Sequence, residues 1–425
     1  MTDVLRTTTH GRVVRTVTLD GIDRDLLSLL PPTGGHAWVR EDSGFVGWGE
    51  AARFTVSGPE RFSRAQRWWN AWCEQARVDD QVGLPGTGPI AFASLTFDAG
   101  PQDSVVIVPS VVLGHRNGRT WLTTVEPESL TPPSDAAQRG PRAPLTDDGL
   151  AWSAGSRPVE HWARAVAEAI GRISAGELDK VVLARDVVAE LPEPLDVPAL
   201  LRSLARAYPE CWTFNVDGLV GATPELLVSR DGDRVTSRVL AGTVRRRGVE
   251  SVDAGLAEAL LASDKDLEEH EYAVHSVADS LAAHCTDLDV PAAPHVLSLA
   301  NVQHLATEVS GLLADGAPAL ALAASLHPTA AVCGTPTERA AALIRELEGM
   351  DRGRYAGPVG WIDSHGDGEL GIALRCAAVE DSPRGPGTRL RLYAGCGIVA
   401  GSDPEAEIAE SEAKFDAVRG ALLDR

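Results

Sequence analysis

The chain has 425 residues, 44% of them hydrophobic, and a formal net charge of -21. That length allows one large domain or two to three ordinary ones, and the composition suits a globular protein with a substantial core. The acidic excess argues against a nucleic-acid partner, because phosphates would be repelled; an anionic small molecule would need a bound cation or a local cluster of Arg to be held. The six cysteines lie far apart with no C-x-x-C pair, and the Met-Thr-Asp start lacks a basic-then-apolar leader. Reduced, mostly buried thiols in a cytoplasmic protein are therefore expected. No apolar run approaches the roughly 18 residues of a membrane span, so no membrane partner is expected.

From residue 11 to about 130 the pattern is short strands with turns, such as 12–19, 90–97 and 104–109, bounded by Gly, Pro and Asp. One helix interrupts them at about 63–76, and its Trp68, Trp69 and Trp72 read as packing residues. Residues 131–149 are rich in Pro, Gly and Asp without periodicity and read as an exposed connection. Helical spacing returns at 158–174, with Trp162, Val166, Ile170 and Ile173 on one face. A β-branched strand opens at Lys180, a helix covers 197–207, and strands follow near 213–216 and 226–229. One long helix is expected over about 254–284, with Leu256, Leu260, Leu267, Val274, Val277 and Leu281 as its core stripe. Thr335-Pro-Thr-Glu338 predicts a helix start, with Thr335 as N-cap, Pro336 at N1 and Glu338 closing a capping box. Strands at 357–363 and 371–379 flank a hairpin-like loop at 363–368. A third strand, 389–393, leads through Gly395 and Gly397 to a last helix from about Pro404. Strand pairs alternating with helices predict an α+β architecture.

Several side chains are placed to do chemistry. Glu407, Glu410 and Lys414 share one face of the last helix, and Asp266 and Glu269 stand three apart on the long one. Two helices presenting carboxylate pairs can bracket a hard divalent cation, which takes oxygen ligands; each pair alone is a weak signal that reads more readily as a solvated face. Gly395-Cys-Gly397 allows backbone N–H groups to approach an anion, or is a simple tight connection. Only three of the 39 basic residues are lysines, namely Lys180, Lys265 and Lys414. Arg stays protonated, whereas a buried lysine can shed its proton and act as a base. Lys180 opens an apolar strand, where a permanent charge is costly unless paired. Glu225 also lies among apolar residues, where burial favours the protonated acid. A Lys and a Glu so tuned and facing one cavity form an acid/base pair. Zinc spacings and Walker-type glycine loops are absent.

Taken together, the segments GELDKVVLAR, GATPELLV, LAGTVRRRG, SDKDLEEHEYAV, VQHLATEVSG, SLHPTAAVCGTP, RYAGPVGWIDSHGDGELGIALRC and RLYAGCGIVAGSDPEAEIAESEAKF resemble the chorismate-utilising enzymes, in that family's order. The resemblance covers roughly 157–425, the catalytic region, and a variable N-terminal part such as 1–130 is usual for the family. It implies one domain over 1–425, an α/β sandwich of two mainly antiparallel sheets flanked by helices, like anthranilate synthase component I. It implies Mg²⁺ held by Glu269 and Glu410, with Asp266 and Glu407 as water-mediated or supporting partners, and chorismate as the substrate. Arg375 and Tyr355 match positions that bind the enolpyruvyl carboxylate, assisted by backbone N–H groups around Gly395 and Gly397. His304 and Lys414 match polar groups of the same cleft, and Gly242 and Thr243 match its wall. A lysine at the position of Lys180 marks the water-using members, in which it acts as general base with Glu225 as general acid. The implied enzyme is an isochorismate synthase, expected as a cytoplasmic monomer serving menaquinone or siderophore biosynthesis. HLAT (304–307) and HPT (327–329) resemble isochorismate synthases more than salicylate synthases, although Ala330 stands where many such enzymes have proline. The rivals are a salicylate synthase, which would go on to eliminate pyruvate, and a non-catalytic acidic binding protein of the same fold.

Overall fold

The computed structural model describes residues 12–20, 25–125, 150–383 and 387–423. The connection expected at 131–149 lies outside them. Two large sheets dominate. The thirteen-stranded sheet runs in the order Ala151–Ala154, Lys180–Leu191, Thr388–Ile398, Cys376–Asp381, Leu219–Thr223, Trp212–Val216, Gly35–Arg40, and on through N-terminal strands to Ala76–Asp80. The ten-stranded sheet includes Val302–Leu313, Arg234–Arg245, Leu226–Asp231, Gly368–Ile372, Pro358–Asp363 and Ile90–Ser94, consecutive in that order. Pairing around the site is antiparallel, while Arg12–Leu19 runs parallel to Ala76–Asp80. The expected α/β sandwich of two mainly antiparallel sheets is thus the observed architecture.

Apolar residues of both sheets close one core that includes Trp38, Phe45, Phe92, Val228, Trp361 and Leu370. A second core covers the other face of the larger sheet, where the helices Val197–Ala207 and Pro404–Leu422 supply Leu201, Leu204, Phe415 and Val418. Both helices begin on an aspartate that satisfies otherwise orphaned backbone donors: Asp196 accepts from Ala199 N, and Asp403 from Glu405 N and Ala406 N. In the helix Arg61–Glu74, Trp69 and Trp72 are buried and stack with centroids 5.5 Å apart. Trp69 Nε1 donates to the Asp363 carbonyl at 3.0 Å, so these rings serve packing as expected.

Four local expectations need correction. The long helix is two, Glu250–Leu261 and Asp264–Ala282, because Ser263 caps the second by accepting from Asp266 N. Its stripe survives in part: Leu260, Val274, Val277 and Leu281 are buried, while Leu256 and Leu267 are half-buried. Thr335 is no N-cap. It forms a two-residue strand with Gly334 against Lys180 and Val181, its carbonyl accepts from Asp179 N, and the helix Thr337–Leu347 starts without a side-chain cap. The segment 371–379 is not one strand. Gly368–Ile372 belongs to the smaller sheet and Cys376–Asp381 to the larger, so 373–375 crosses between them. Finally, the 389–393 strand extends over Thr388–Ile398 and takes Gly395 and Gly397 into the sheet, where a loop was expected.

Candidate active site

The crossing at 373–375 places Arg375 over a cavity between the sheets, in a left-handed backbone conformation with φ of +47°. The cavity is also lined by Glu225, Gly242, Thr243, Glu269, His304, Tyr355, Gly395, Gly397, Glu410 and Lys414. Ten of the residues singled out from sequence therefore share its wall with Arg375. Three do not reach the wall. Lys180 lies behind Glu269 and Gly397, Asp266 packs against Gly242, and Glu407 is buried beside Glu410.

Glu225 follows a turn in which its N–H donates to Thr223 Oγ1 at 3.3 Å, and its side chain is buried. Burial pushes its carboxyl up to about 8, against the opposing pull of Lys180 and a backbone hydrogen bond from Leu240. At neutral pH it is an acid with a proton to give. Lys180, fully buried, places Nζ 3.2 Å from Glu269 Oε1, within ion-pair range but without hydrogen-bond geometry to any partner. A buried amine with one anionic neighbour and no satisfied hydrogen bond is an unusual thing to keep in a core.

The three lysines of the chain repeat this motif around the carboxylates. Lys180 faces Glu269, Lys414 Nζ lies 2.6 Å from Glu410 Oε1, and Lys265 Nζ lies 3.3 Å from Glu407 Oε1. Burial, followed by repulsion from Glu410, pushes the Glu407 carboxyl up to about 7. Cys396 Sγ, Glu407 and Glu410 present ligand atoms within 4.8 Å of one another, so the carboxylates gather where a cation could bridge them. Cys396 was not singled out from sequence; flanked by two glycines, it gave no ligand spacing.

The opposite wall is built to take an anion. Arg375 Nη2 donates to His304 Nε2 at 2.8 Å, which fixes the ring's other nitrogen as the protonated one, 3.0 Å from Thr243 Oγ1 and 3.4 Å from the Gly242 carbonyl. Burial and then the adjacent Arg375 drive His304 well below the ordinary histidine range, so the ring is neutral. Gly242, at φ of +75°, occupies an irregularity between Ala241 and Thr243 in the pairing of Arg234–Arg245 with Val302–Leu313. Such a bulge re-aims the next side chain, here Thr243. Tyr355 stacks on Tyr393 with centroids 4.9 Å apart, and burial raises its phenol.

Gly395 and Gly397 pair with Ala184 and Val182. The N–H groups of Ala184 and Val182 point the other way, to Glu348 Oε1 and the Cys333 carbonyl. These are accordingly non-hydrogen-bonded pairs, and the N–H groups of both glycines face away from the Lys180 strand. The neighbouring Cys376–Asp381 strand pairs from Leu392 outward and does not cover them. The role expected for a loop is available at a strand end. A Cβ at Gly397 would stand 2.1 Å from Glu269 Oε1 and 3.1 Å from Lys180 Cε. Gly397→Ala should displace that carboxylate and lower kcat by about tenfold or more while leaving the fold intact, which steady-state kinetics beside a melting curve would check. Sequence reading also missed Arg352. It is buried on the cavity wall, pairs with Glu348, and donates to the carbonyls of Val182 and Val332, fixing the strand that carries Lys180.

A buried acid, a buried amine and converging carboxylates about an arginine-walled cavity define an acid/base enzyme for a small anionic substrate. The chain belongs to the family of chorismate binding enzymes, which it matches over residues 36–423. It is 42% identical to the isochorismate synthase DhbC of Bacillus subtilis over 275 residues, covering 62% of this chain and 68% of that one. It is 30% identical to the isochorismate synthase MenF of the same organism over 405 residues, covering 89% and 85%. The solved structure of MenF, the menaquinone-specific isochorismate synthase from Escherichia coli, superposes with a TM-score of 0.79 at 27% identity, covering 97% of this chain and 95% of that one.

Proposed function

We infer that the protein is an isochorismate synthase, an isomerase that converts chorismate to isochorismate by adding water at ring C2 and expelling the C4 hydroxyl. The observation that carries this reading is the buried acid Glu225 on the cavity wall, held protonated at neutral pH, with the buried amine of Lys180 directly behind the wall residues Glu269 and Gly397. In the proposed mechanism, Lys180 acts as the general base that takes a proton from the water that attacks C2. The ring double bonds shift, and Glu225 gives its proton to the departing hydroxyl, so one water enters and one leaves. Arg375, with Tyr355 and the free N–H groups of Gly395 and Gly397, receives the enolpyruvyl carboxylate. His304 and Thr243 fix the orientation of Arg375, and Lys414 completes the polar wall beside Glu410.

The residues present fit a hard divalent cation. Glu269 and Glu410 supply oxygen donors lining one cavity, Glu407 is buried beside Glu410, Asp266 packs against Gly242, and each of the three glutamates has a lysine partner. We propose Mg²⁺ as the ion; bound there it would neutralise the ring carboxylate and withdraw charge from the ring. We read the chain as one catalytic domain acting as a cytoplasmic monomer; strands from both halves of the sequence enter both sheets.

Incubation with chorismate and Mg²⁺ followed by separation of products tests the reading. Isochorismate should be the main product, and a chelator should reduce turnover by at least about a hundredfold, reversibly on adding Mg²⁺. Salicylate and pyruvate as major products would instead establish the salicylate synthase alternative.

A further inference from the structure

Of the three lysines at the carboxylates, Lys180 and Lys414 are sealed in, with side chains 0% and 12% exposed, but Lys265 is 39% exposed while its partner Glu407 is 3% exposed. Lys265 alone can exchange its carboxylate for water by a change of rotamer. Its position is otherwise unfavourable. It is the second residue of the helix Asp264–Ala282, at the end where the helix dipole disfavours a cation. Burial opposes its charge as well, and the carboxylates around it more than offset that burial: Glu407 most strongly, then Glu269 and Asp266. An ammonium here shares the anionic field that the proposed metal would occupy, and it approaches from the solvent side.

We propose that Lys265 is a removable counter-ion of the metal site. Its ammonium balances Glu407 in the metal-free protein, withdraws into solvent as a divalent cation arrives, and so sets how tightly that cation is held. The inference rests on the metal site argued above and adds a residue that neither binds the ion nor touches the substrate. Electrostatics gives its sign. A positive charge that must be pushed away weakens binding of a second positive charge, whereas a lysine that merely braced Glu407 would strengthen it.

The test is a titration of the full chain, stripped of metal with a chelator, with Mn²⁺ alone. Binding is read from the loss of the free-ion electron paramagnetic resonance signal, with no substrate and no turnover. Lys265→Met should bind Mn²⁺ about tenfold more tightly than the parent, the ratio expected when about 1.4 kcal/mol of partly screened repulsion is removed. Lys265→Arg, which keeps the charge, should stay within about threefold of the parent on the same scale. Unchanged or weaker binding by Lys265→Met overturns the proposal, as does an equal tightening in Lys265→Arg. Melting curves would confirm that each variant is folded, as its half-exposed position predicts. The underlying metal reading fails separately: it falls if the parent binds no Mn²⁺, or if Glu410→Gln binds it as well as the parent does.

Discussion

Lys180→Arg should slow the conversion of chorismate by about 10²–10⁴-fold, the range ascribed to a positioned general base, with little change in KM. Arginine keeps the charge opposite Glu269, and so the electrostatics of the ion pair, but it cannot give up its proton. The site is fully buried, so the larger side chain needs a control. Lys180→Ala should be equally slow yet still bind chorismate by calorimetry, because the arginine wall is untouched. A non-catalytic binding protein would have no turnover to lose, and near-normal turnover in Lys180→Arg would remove Lys180 from the mechanism.

The second large effect is at Glu225, where activity and stability should move in opposite directions. Glu225→Gln removes the proton donor and should reduce kcat by about 10²–10⁴-fold. In the parent, the folded carboxyl titrates at about 8 against 4.5 for the ordinary group. Between those values the folded state holds a proton that the unfolded chain has lost. Stability therefore falls as pH rises from about 4.5 to 8 and levels off above that. Glutamine escapes this loss. The variant should be more stable than the parent by about 2–4 kcal/mol at pH 7, with the gain fading as pH approaches 4.5. Urea unfolding at pH 5 and pH 8 measures it, and a gain that does not depend on pH would refute the buried-acid argument. By the same titration, the parent's rate should fall as pH rises through about 8.

Much of the site was legible because its chemistry lies in residue types that have few other reasons to be where they are. Three lysines survive in a chain otherwise furnished with arginine, and all three stand at carboxylates of the site. Spacing on one helix face correctly joined Glu410 to Lys414. It could not place Lys180 behind Glu269, because that relation is set by the pairing of the Lys180 strand with Thr388–Ile398 and by Gly397, hundreds of residues away in sequence. The sandwich was legible through family resemblance. The local errors share a cause: tertiary pairing overrode a local signal. Thr335 had the chemistry of a cap but was drawn into pairing with Lys180. The run at 371–379, apolar but for Arg375, concealed a change of sheet, since the segments on both sides of the crossing are buried and β-like.

The order of strands has a consequence for how the chain is made. Gly35–Arg40 finds its partner at Trp212–Val216, Ile90–Ser94 at Pro358–Asp363, and Lys180–Leu191 at Thr388–Ile398. The emerging polypeptide thus exposes apolar edges through much of its synthesis, waiting for partners translated far later. Closing such wide loops before their contacts form is slow, so acquisition of the native state should wait until Thr388–Ile398 has been made, with aggregation its main competitor.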